Sequence, residues 1–237
     1  IKSRQITHVL CHYGPVALSL ESLWTPDLDV WVHFHGFDAM FEMVHEEPPH
    51  RPWHRPDYKD RLIALSKKVR FIANSEFLAS KLKEAGVAPD RIRVKTLGVK
   101  IDPAPKVHTA QETTKFVTLG RLISCKGAEL TVAAFCRACD LGLNGELTLI
   151  GAGPMMDACK EVRDASKWAD RVHLVGALPN DEAMEIVRAA DVYTQHNIKS
   201  KLTGQEEAFG VSIIEGMAVG LPTITTLNGG VAEIVVP

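Results

Sequence analysis

No stretch of this chain is apolar for long enough to cross a membrane: none approaches the ~18 residues that a spanning helix needs, and the start does not read as a signal peptide. An excess of one charge is missing as well. The 27 Lys and Arg are set against 29 Asp and Glu, a formal net charge of −2, so nothing electrostatic points to a nucleic-acid partner. Cysteine is scarce. Five, at 11, 125, 136, 139 and 159, are odd in number and too sparse for a secreted disulfide framework, which predicts reduced thiols in the cytoplasm. Cys136-x-x-Cys139 lies inside an apolar helical pattern and has no second pair, so neither zinc nor redox chemistry is expected there. What is present is ordinary for a globular protein, 46% hydrophobic and 24% charged residues. The 237 residues suit one large domain or two moderate ones. A start on Ile1 and a stop at Pro237, just after a helix begins to read, lead to the expectation of a piece of a longer protein.

Strands and helices alternate along the chain. Residues 6–13 alternate in polarity into Gly14-Pro15, and a helix is expected from Val16 to Leu23. Asp29 to Gly36 reads as a strand with a glycine at its carboxyl end, where open α/β sheets bind ligands. His33 and His35 are two apart and share a side of that strand; His33 reads as a core histidine. Within residues 42–58, the run 45–56 holds three histidines and two glutamates, but the spacings match no helical ligand pair, and four prolines predict a loop. Tyr58 to Val69 is a basic amphipathic helix, with a solvated face or a membrane-surface role. Arg70 to Ala73 is strand, Asn74-Ser75-Glu76 a cap, 76–85 a helix closed by Gly86, and 91–95 a strand before a tight turn at Leu97-Gly98-Val99.

Polar, proline-bearing residues 102–114 are the best candidate linker, dividing the chain into 1–104 and 105–237. Beyond it come strands at 115–120, 147–150, 172–175 and 192–194, with helices at 127–141, 155–167 and 181–190. That alternation predicts a parallel, doubly wound sheet. Gly151-x-Gly153 is half a dinucleotide fingerprint and weak by itself. Gly120-Arg121 through Lys126-Gly127 is stronger: two cations at a strand end, between glycines, can bracket two phosphates.

The most informative stretch runs from Glu207 to Glu215, two carboxylates eight positions apart with an apolar, roughly helical pattern between them and Gly220-Leu221-Pro222 as its stop. Glu207 is expected at the mouth of a helix and Glu215 about two turns inside it. Gly210 is expected in the first turn, where unpartnered N–H groups attract a phosphate. A carboxylate there accepts hydrogen bonds from the paired hydroxyls of a sugar.

Glu207-x7-Glu215 resembles the E-x7-E signature of retaining glycosyltransferases of the GT-B fold, family 4, and Gln195-His196 with Thr203 to Glu207 looks like the lead-in of the colanic-acid-type members. Ala208 replaces the usual glycine. His35-Gly36-Phe37-Asp38, Gly120-Arg121-Leu122 with Lys126-Gly127, and Asn228-Gly229-Gly230 are further points of resemblance. The likeness implies two Rossmann-type domains, the first incomplete. It implies transfer of a sugar from a UDP- or GDP-type donor to a glycan or glycolipid hydroxyl with retention, without metal or other cofactor. Arg121 and Lys126 would hold the diphosphate, aided by the backbone of Phe209, Gly210 and Val211; Glu215 would bind the ribose. Glu207 would orient the donor sugar and His35 would lie beside it. The loop at 42–58 would lie on the acceptor side, and the Gly229-Gly230 backbone would close on the donor. The expected location is cytoplasmic, peripheral at the inner membrane face. Another GT-B enzyme, an epimerase or a phosphorylase, and a non-catalytic sugar-nucleotide-binding fragment are the alternatives.

Overall fold

The computed structural model describes residues 5–40, 57–101, 112–201 and 203–235. The expected α/β class stands: every strand pairing is parallel, in two sheets. The chain forms two compact units. The first takes Ile1–Leu97, Lys199–Phe209 and Gly229–Pro237; the second takes Gly98–Ile198 and Gly210–Asn228. This differs from a single cut at residue 104. The late segments join the first unit because its helix termini bind them. The Ser75 hydroxyl donates to the Ala208 carbonyl at 2.6 Å, and the Glu233 carboxylate accepts the N–H groups of Glu76 and Phe77.

In the first unit β1 (His8–His12), α1 (Gly14–Ser19), β2 (Asp29–Phe34), α2 (Tyr58–Ser66), β3 (Arg70–Ala73), α3 (Glu76–Ala85) and β4 (Ile92–Val94) build a sheet in the order β1-β2-β3-β4. Alternation decides which side of it is core: Cys11, Val30, Val32, Phe34, Phe71, Ala73 and Ile92 are buried, while Leu10, Trp31 and Ile72 on the other side are not. Phe34 and Phe71 pack with ring centroids 4.8 Å apart, worth about 0.5–1.5 kcal/mol beyond their burial. Tyr58, Leu62 and Leu65 put the apolar face of α2 into the same core. Ser75 caps α3 through the Leu78 N–H, and left-handed Gly86 ends it, as the sequence predicts. The helix expected at 16–23 is cut at Ser19, whose hydroxyl bonds back to the Val16 carbonyl while the Trp24 indole takes that of Ala17. No turn forms at Leu97–Val99.

The second unit runs β5 (Thr114–Leu119), α4 (Ala128–Asp140), β6 (Gly145–Ile150), α5 (Met156–Asp164), β7 (Val172–Gly176), α6 (Asn180–Ala189), β8 (Val192–Gln195), α7 (Val211–Ala218) and β9 (Thr223–Thr225), in the order β7-β6-β5-β8-β9. The order reverses between β5 and β8, the place where open α/β sheets bind ligands at the strands' carboxyl ends. Ala128, Thr131, Val132, Phe135, Cys136 and Cys139 form the buried stripe of α4, at helical spacing. The two cysteines are therefore core residues, and burial pushes the Cys139 thiol up, away from reactivity.

Candidate functional site

Arg121 stands at the carboxyl end of β5, in a loop zipped to its neighbour. Gly120 N–H donates to Ile150 O at 3.0 Å and Leu122 N–H to Ala152 O at 2.9 Å, so Arg121 is pinned from both sides. A Cβ on Gly151 would lie 1.8 Å from the Gly120 carbonyl oxygen, and one on Gly153 2.3 Å from that of Leu122. The half fingerprint is thus explained by backbone packing against the Arg121 loop. Arg121 itself is exposed. Lys126 ends the 3-10 turn Ser124–Lys126, which Ile198 N–H ties to the end of β8 through Cys125 O at 3.0 Å.

Gln195, at the end of β8, is 1% exposed and organises the crevice. Its carbonyl oxygen Oε1 accepts from the Tyr193 hydroxyl at 3.0 Å and the Ser212 hydroxyl at 3.1 Å, and its Nε2 donates to Asn197 at 2.6 Å. The single Tyr193 hydroxyl proton is shared between Gln195 Oε1 and Leu119 O, each 3.0 Å away, and Thr225 donates to Gln195 O. The Gln195 amide thereby joins Tyr193 of β8, Asn197 and the first turn of α7, while Tyr193 reaches the end of β5 and Thr225 of β9 reaches the Gln195 main chain. Only Gln195's place at a strand end hinted at this; Tyr193, Asn197 and Ser212 were not legible as a set.

Helix α7 starts at Val211, with left-handed Gly210, which offers no capping side chain, as its cap. Phe209 lies outside the helix, buried, with its N–H directed to Glu207 Oε1 at 3.4 Å. Glu207 is four residues upstream of the helix in the first unit, not at its mouth. Glu215 is just over one turn inside α7, not two. It is half-buried, its carboxyl is raised by that burial, and it borders a cavity of about 380 Å³ with Lys100, Asn180, Asp181 and Arg188.

In the first unit the His35 and Glu207 loops meet. A Cβ on Gly36 would lie 3.0 Å from the Ala208 methyl. Gly229 and Gly230 close on the carbonyls of Glu207 and Ala208, at 2.2 and 1.9 Å from an added Cβ, so their lack of a side chain allows the chain's own backbone to approach. Asp38 holds the His35 turn: it is fully buried and accepts the N–H groups of His35 and Gly36 at 3.0 Å and of Gly14 at 3.2 Å. Burial raises its carboxyl to about 6, against the pull of those donors. His35 is lowered to about 4 by burial and by neighbouring His33 and His12, which leaves a neutral imidazole at pH 7. Residues 41–56, which hold most of the acceptor-side loop, and 102–111 of the linker lie outside the described residues.

The glycosyl transferases group 1 family matches residues 101–237. Among curated proteins, the chain is 24% identical over 234 residues to WcaL of Escherichia coli strain K12, named for colanic acid biosynthesis, covering 95% of this chain and 54% of that protein. It is 28% identical over 205 residues to the amylovoran biosynthesis glycosyltransferase AmsK of Erwinia amylovora, covering 85% and 48%. The chain thus spans about half the length of these relatives. Among solved structures, Anabaena HepE in complex with UDP-glucose superposes with a TM-score of 0.71 at 18% identity, over 96% of this chain and 62% of that one. The fold likeness is to GT-B glycosyltransferases.

Proposed function

The chain belongs to the glycosyl transferases group 1 family, and from that premise we propose that it serves in moving a sugar from a nucleotide diphosphate sugar to a hydroxyl of a glycan or glycolipid. The bond from the anomeric carbon to the diphosphate oxygen breaks, the bond to the acceptor oxygen forms with retention, and the acceptor proton passes to the leaving diphosphate. Arg121 and Lys126 carry the negative charge that grows on the leaving diphosphate, together with the uncapped first turn of α7 at Gly210 and Val211. Glu215 binds the ribose hydroxyls. His35, a neutral imidazole on a turn held by Asp38, and Glu207 contact the donor sugar. With cations and N–H groups on the diphosphate, the reaction needs no metal ion. UDP is the first choice of nucleotide, since the Anabaena neighbour was solved with UDP-glucose. The setting is polysaccharide or glycolipid synthesis at the inner face of the membrane; among the described residues no helix is long and apolar enough to cross one.

The observation that carries this reading is exposed Arg121 at the β5 end, where the strand order of the second unit reverses. Titration calorimetry of the chain with UDP, GDP and their sugar conjugates, without and with magnesium, tests it. Expected is metal-independent binding, weakened by about 10- to 100-fold in Lys126→Ala and in Glu215→Ala, the loss of one charge-assisted hydrogen bond or two. A folded chain that binds none of these nucleotides would overturn the donor site.

A further inference from the structure

Three imidazoles of the first unit converge at the ends of β1 and β2. His12 closes β1 and pairs in register with His33 on β2; His35 follows that strand's end. Ring centroids are 5.5 Å apart for His12 and His33, 5.1 Å for His12 and His35, and 4.4 Å for His33 and His35. One ring nitrogen from each lies within 4.8 Å of the other two. His12 Nδ1 and His35 Nε2 are 2.8 Å apart and joined by one hydrogen bond, which needs a proton on one of the two nitrogens only. His33 is 8% exposed, and its Nε2 has no hydrogen-bond partner. Leaving such a group unsatisfied costs on the order of 1–3 kcal/mol and is uncommon in native proteins.

We propose that His12, His33 and His35 form a binding site for a divalent late transition metal, zinc foremost, with one nitrogen from each ring as ligand. The donor set decides the class of ion. It is all imidazole, and the nearby Asp38 carboxylate is committed to backbone N–H groups, so magnesium and calcium, which require oxygen, are excluded. Three histidines leave the fourth tetrahedral position open. Zinc–nitrogen bonds of about 2.0–2.1 Å place the ligand atoms about 3.3 Å apart. The present spacing reaches that with side-chain rotations of about an ångström, which exposed His12 can make. The proton between His12 and His35 moves to the other nitrogen of its own ring, which frees both lone pairs.

The site shares His35 with the proposed donor contacts, so a bound ion and the donor sugar would compete for that ring, and its test needs no turnover. Zinc is titrated calorimetrically into the 237-residue chain, and cobalt is followed by its visible absorption. The expected result is one zinc per chain, a tetrahedral cobalt spectrum, and affinity lower by more than about tenfold in His12→Ala and His33→Gln; loss of even an outer partner of a metal ligand brings that much. His12 is exposed, so His12→Ala keeps its fold, checked by circular dichroism, and decides the matter if the buried His33 variant does not fold. Wild-type zinc affinity in folded His12→Ala, or no stoichiometric binding by the wild type, would overturn the proposal.

Discussion

Removing the Asp38 carboxylate would strand three backbone N–H groups in the interior of the first unit. The sequence placed His35 as the residue of interest in His35-Gly36-Phe37-Asp38, yet the aspartate is what shapes the turn, with the Tyr58 hydroxyl bonded to its carbonyl from α2. Unsatisfied buried donors cost about 1–3 kcal/mol each and do not simply add. Asp38→Ala is therefore expected to lose about 3–5 kcal/mol in urea unfolding followed by tryptophan fluorescence, and Asp38→Asn, which keeps one acceptor, less. A loss below about 1 kcal/mol for the alanine variant would mean that the turn is held by its packing on Ala208 instead. At the same scale, Ala208 in place of glycine is accommodated because its partner across the contact, Gly36, has no side chain.

Among the elements, the pairing of β2 and β3 carries a charge as well as a ladder. Asp29, which opens β2, accepts a hydrogen bond from Arg70 of β3, whose guanidinium also lies 4.1 Å from the Trp31 ring centroid. That hydrogen bond holds the Asp29 carboxyl below the ordinary carboxylate range. The sign follows: a carboxyl depressed in the folded state contributes stability that is full above the ordinary value near 4 and is lost as pH falls through the depressed one. Asp29→Asn is expected to be less stable than the wild type at pH 7, with the difference vanishing as pH drops well below 4. Both groups are partly exposed, so the effect is modest and shrinks in high salt. An equal difference at pH 3 and pH 7, read from paired denaturation curves, would assign it to packing instead. Elements with local signals were legible in advance. Ser75 and Gly86 bound α3 where the capping pattern puts them. The start of α7 was not, because Phe209, apolar and in phase with the helix, is spent on the core outside it.

On the scale of the whole molecule, the proposed site residues fall in both units. Arg121, Lys126, Gly210, Val211 and Glu215 belong to the second, His35, Glu207 and Phe209 to the first. A nucleotide without its sugar is expected to engage the second unit alone. Hydrogen exchange with saturating UDP should then slow at residues 119–127 and 210–216 and leave β1 to β4 unchanged. Protection confined to the first unit would sink the assignment of the diphosphate to Arg121 and Lys126.

The α/β alternation, the capped helices and the cations at the β5 end were determined by the sequence, because strand periodicity, caps and glycine stops are local properties of a few adjacent residues. Which segments share a unit was decided only by tertiary structure. Ser75 meets Ala208 across 133 positions and Glu233 meets Glu76 across 157, separations over which no periodicity speaks. The same holds for the three histidines. The pattern put His33 and His35 on one side of a strand, but only parallel pairing of β1 with β2 brings His12 to them. And Gly151-x-Gly153 is only half a dinucleotide fingerprint in the sequence, whereas the fold shows the Gly120 and Leu122 carbonyls in the space that side chains would need.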